Sequence, residues 1–71
     1  MNRETILSKL KELHDLFGGL RDDANYQRSI AGTPDEYAYF DGRGKAFGIA
    51  EWHIADLIKE MEKGDKDENT L

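Results

Sequence analysis

Gly32-Thr33-Pro34-Asp35-Glu36 reads as a helix stop followed at once by a helix start. Gly32 suits the left-handed position that closes a helix, and Thr33 can cap the next one. Pro34 fits a first helical turn, and Glu36 stands where a capping box places its acid. A connection this short makes two helices fold back on each other, and it lies near the middle of the 71-residue chain, so the arms are about equal. The expected architecture is all-α, an antiparallel helical hairpin forming one domain over residues 1–63. Its helices are expected over about 3–31 and 34–63, with the turn at 32–33.

The first arm opens on Asn2, a good helix cap, and carries Ile6, Leu10, Leu13, Phe17 and Leu20 at alternating spacings of four and three. That spacing makes a seam for a partner helix, while Lys9, Lys11, Glu12 and Asp15 fall between and face water. Gly18-Gly19 costs a helix about 1 kcal/mol per glycine relative to alanine, enough to end it there. The phase nevertheless carries on through Ala24, Gln27 and Ala31. One long, bent helix is favoured over a break.

In the second arm, a rotation of about 100° per residue puts Phe40, Phe47, Ala50, Ile54, Leu57, Ile58 and Met61 on one broad face, with Tyr39 and Ala46 at its edge. The face is wider than a two-helix seam requires, so a dimeric four-helix bundle or a higher oligomer is expected. A turn centred at 32–33 sets Gly48 opposite Phe17 and Gly18 opposite Phe47, each ring filling a glycine notch. Beyond Lys63 a stopping glycine, Gly64, begins a stretch with almost no apolar content, and 64–71 is expected to be a flexible acidic tail.

A chain this small buries little surface without a disulfide, a metal or a partner chain. With no cysteine, disulfide and thiolate chemistry are excluded, and self-association is the expected source of extra stability. The net charge of -5 argues against binding a nucleic-acid backbone and favours a basic protein surface or plain solubility. No apolar run approaches the roughly 20 residues that cross a bilayer, and Met1-Asn2-Arg3-Glu4 leads into mixed charge instead of a signal-peptide core. A cytoplasmic protein with no membrane contact is expected.

Arg43 projects into the middle of the second arm's apolar face, and the pairing across the turn sets it opposite Asp22 and Asp23. A buried guanidinium needs a carboxylate, so the first reading is a structural ion pair that holds the register. A sharper reading has Arg43, Arg28, Tyr26 and Tyr39 grip an anionic ligand such as a nucleotide; a third leaves Arg43 at an edge with neither role. His14 and Glu51 also pair across the turn, and His53 and Asp56 lie three apart. No His-x-x-x-His or Glu-x-x-His spacing is present, and no metal site is expected. Neither a nucleophile elbow nor a phosphate-binding loop occurs; Gly42-Arg43-Gly44 is too short for one and follows no strand. No enzyme activity and no cofactor are expected. Trp52 falls on the side of the second helix away from the main apolar face, among Lys45, Asp56 and Lys59, with Tyr37 and Ile49 flanking it. A large aromatic outside the seam is a common interface anchor, for a second copy or for a foreign protein.

The stretch Tyr39-Phe40-Asp41-Gly42-Arg43-Gly44-Lys45-Ala46-Phe47, leading into Ile49 to Met61, resembles a pattern of small phage and prophage proteins, in which it opens a long C-terminal helix. The resemblance implies a mobile-element accessory protein in the host cytoplasm, a class that includes inhibitors of host defence systems and sponges for signalling nucleotides. It carries no residue roles. The favoured function is therefore a non-enzymatic, oligomeric binding protein that occupies a host protein. The alternatives are an oligomer that sequesters a signalling nucleotide and a purely structural hairpin.

Overall fold

A computed structural model of the protein describes residues 2–64 and follows the backbone of the second helix to Thr70. Two helices, α1 (Arg3–Ser29) and α2 (Pro34–Thr70), pack side by side as an antiparallel hairpin 57 × 18 × 14 Å in extent. Neither helix is long and apolar enough to cross a membrane among the described residues.

Both helix starts follow their capping residues. The Asn2 side chain accepts the Thr5 backbone N–H at 2.8 Å, satisfying one of the donors that a helix start leaves open. At the turn, Thr33 Oγ1 accepts the Glu36 N–H at 3.1 Å, and Glu36 Oε2 accepts the Gly32 N–H at 3.2 Å. This is a capping box whose acid reaches one residue further back than usual.

The end of α1 differs from expectation. It stops at Ser29, not near 31, and Gly32 is not left-handed, since no glycine has positive φ. The last turn tightens instead: the Ile30 N–H donates to the Gln27 carbonyl and the Ala31 N–H to the Arg28 carbonyl, the three-residue bonds that satisfy helix-end carbonyls without a glycine cap. Gly18-Gly19 does not break α1, which runs through both. Nor does Gly64 stop α2. Arg3 of α1 packs against that turn, its Nη2 donating to the Met61 carbonyl at 2.8 Å and lying 3.0 Å from where a Gly64 Cβ would stand. A helical glycine costs about 1 kcal/mol but is not forbidden. The backbone of α2 runs on as helix through residues 65–70 of the expected tail, and Leu71 lies outside the described residues.

The register is the main correction. Gly18 meets Glu51, Arg21 meets Gly48, Asn25 meets Gly44 and Arg28 meets Asp41. The arms are thus offset by about one helical turn from the expected pairing. The cause is the turn: residues 32–39 are all exposed, so the start of α2 stands beyond the end of α1 before the helices come into contact. Gly18 and Gly48 therefore do not receive Phe47 and Phe17. Those rings meet each other instead, centroids 6.1 Å apart, while the notches take the polar side chains of Glu51 and Arg21.

Rotation differs as well. Each helix carries two parallel rows at three- and four-residue spacing, one apolar and one small or polar. Closest approach runs along the second, His14, Gly18, Arg21, Asn25 and Arg28 against Asp41, Gly44, Gly48 and Glu51. Small residues let backbones come together, which large apolar ones prevent. Among the described residues, the buried positions are Gly18, Ala24 (1% exposed) and Gly44. The apolar rows lie to one side: Leu57, expected to face α1, is 54% exposed, as is Leu16.

Candidate functional site

Two polar clusters bind the helices together along the contact line. In the middle, the Glu51 side chain, only 15% exposed, forms an ion pair with Arg21 Nη1 and has His14 Nε2 3.9 Å from its Oε2. His14 Nδ1 also lies 3.7 Å from Asp15. The bare backbone of Gly18 makes room for this carboxylate, whose Oε2 lies 2.6 Å from the place a Cβ would take. The expected pairing of His14 with Glu51 is present, but Arg21 is the stronger partner. That arginine was missed because the register on which the pairing rested was one turn off.

Nearer the turn, Asp41 accepts from Arg28 Nη1 and from Lys45 Nζ, each at 2.8 Å. The hydrogen bonds from Lys45 and then Arg28 hold its carboxyl below the ordinary aspartate range. The same bond raises the Lys45 ammonium above its ordinary value. Arg28 additionally lies over the Tyr37 ring, 5.9 Å from its centroid.

These contacts disperse the expected anionic-ligand residues. Arg28 is engaged by Asp41 on the contact line. Arg43 meets neither Asp22 nor Asp23; it lies exposed on the apolar side of α2, its Cζ 5.0 Å from the Phe47 centroid and its Nη1 donating to the Tyr39 hydroxyl at 3.5 Å. The expected hairpin ion pair fails because α2 is rotated so that its glycines, not its arginine, face α1. Asp22 pairs with its neighbour Arg21 at 3.2 Å. Tyr26 is exposed on α1. Only Arg43 and Tyr39 of the four are brought together. No cavity opens among the described residues, and no three His, Cys, Asp or Glu side chains among them group closely enough to hold a metal ion.

The Trp52 side is different in character. Trp52 is 64% exposed and touches His53 edge-on at 4.8 Å. At about 100° per residue it points roughly 80° from the contact line, on the side away from Phe47 and Ile54. Ile49 and Tyr37 are also exposed there, with Lys45 and Lys59 on the same flank. The five residues expected to form a protein interface thus share one side of α2, about 33 Å long at 1.5 Å per residue. Within the chain, Lys45 is held by Asp41 and Tyr37 lies beneath Arg28. No protein-family model, no curated protein and no solved structure matches the chain.

Proposed function

We propose that the chain is a non-enzymatic binding protein that occupies another protein through the Trp52 side of α2. Within the class of phage accessory proteins that it resembles, this is the role of an inhibitor seated on a host defence protein in the host cytoplasm. The observation that carries the reading is the exposure of Trp52. A tryptophan left 64% in water, with Ile49 beside it and Lys45 and Lys59 on its rim, is the composition of an interface anchor: an aromatic centre, an aliphatic neighbour and a charged border. The basic rim favours a partner that presents carboxylates there.

The test compares wild type with Trp52→Ala. Expected are unchanged far-ultraviolet helicity and sedimentation, together with loss of a protein captured from host cells by wild type and then confirmed with that protein purified. Truncating a buried aromatic anchor costs about 2 kcal/mol or more, roughly 30-fold in affinity. A captured protein that binds Trp52→Ala as tightly as wild type overturns the proposal, and so does a variant that loses its helicity.

A further inference from the structure

The apolar rows of α1 and α2 are turned to the same side of the hairpin, because each is offset by roughly 80° from the contact line and the helices run antiparallel. The result is one apolar face with Leu13, Leu16 and Leu57 exposed on it.

We propose that a second copy of the chain covers this face, related by a two-fold axis parallel to the helices, so that α1 of one protomer lies over α2 of the other. Arg43 selects this arrangement. It stands on the apolar face with no carboxylate of the described residues upon it. Since Asn25 is level with Gly44, Arg43 is level with Tyr26 of α1, three residues or about 4.5 Å of rise from Asp23. Asp23 lies on the outer edge of α1, exposed and out of reach within its own chain. A parallel two-fold axis brings α2 of the partner above that edge, and Arg43 meets the partner's Asp23 twice in the dimer. A perpendicular axis stacks α2 on α2 and α1 on α1 instead, and does not bring Arg43 to Asp23. The proposal is independent of the Trp52 surface, which stays on the outside of the four-helix assembly.

The experiment is a charge swap read by sedimentation equilibrium and circular dichroism on the full chain. Wild type is expected to be a dimer. Arg43→Glu and Asp23→Arg, each retaining helicity, weaken self-association by at least about tenfold, and the double variant recovers it. Leu57→Glu, on the exposed part of the face, yields monomer. A wild type that remains monomeric at the highest concentration reached, or a double variant no tighter than the singles, overturns the proposal.

Discussion

Glu51 of α2 lies over the bare backbone of Gly18 on α1, its Oε2 2.6 Å from the position a Cβ would occupy. The next residue, Gly19, has nothing within 4 Å of its own Cβ position. Two adjacent glycines of one helix therefore differ in what they do. Gly19→Ala gains the intrinsic helix preference of alanine, and stability is expected to rise by about 1 kcal/mol. Gly18→Ala gains the same preference but displaces the Glu51 carboxylate from its place beside Arg21. Its net effect is expected at or below zero, so the two variants should differ by at least about 1 kcal/mol in urea melts. Equal gains at both positions would show that the carboxylate does not need the notch.

The Arg21–Glu51 pair ties the helices together at mid-length, with the acid 15% and the arginine 37% exposed. Removing a partner strands the other, but Arg21 can turn its head to water and Glu51 cannot. Glu51→Ala is expected to cost about 1 to 2 kcal/mol, and Arg21→Ala somewhat more, since it leaves a nearly buried carboxylate with only His14 beside it. A double-mutant cycle should return a favourable coupling of about 1 kcal/mol. Zero coupling would reduce the pair to a neighbour contact.

Asp41 makes stability depend on acid. Its carboxyl is held below its ordinary range in the fold by Lys45 and Arg28, so the folded state binds its proton less readily than the unfolded chain. The contribution is therefore present above the unfolded value, near pH 4, and is lost as pH falls through the folded one. Lys45 runs the other way: its raised value makes its contribution complete below the unfolded lysine range and lost as pH rises through the folded one. Asp41→Asn is expected to flatten the acid limb of a melting-temperature profile and to lower the midpoint of Lys45 in an NMR titration. An acid limb unchanged in Asp41→Asn would place that sensitivity elsewhere.

The features legible in the sequence are those that a few neighbouring residues decide. Asn2 and Thr33 cap because a short polar side chain reaches the N–H three residues on, and Pro34 begins a helix because its ring sets φ. Three- and four-residue spacing marks helical faces, and together these yield two helices, their order and the hairpin. The exposure of Trp52 was legible for the same reason, since rotation along one helix places it away from Phe47 and Ile54.

Tertiary structure alone decided how the faces meet. Periodicity identifies an apolar row but not the row on which helices touch, and glycine, with no side chain, marks no face at all. Yet Gly18, Gly44 and Gly48 are what allow the backbones to close, drawing Arg21, Asn25 and Glu51 into the contact line and turning the apolar rows aside. The register followed from the turn, where residues 32–39 extend α2 past the end of α1 and shift every expected cross-pair by about one turn. The rotation of α2 that turns Gly44 and Gly48 toward α1 took Arg43 away from the aspartates of its own chain, because the face a helix presents depends on how far the backbones approach, a property of both helices together.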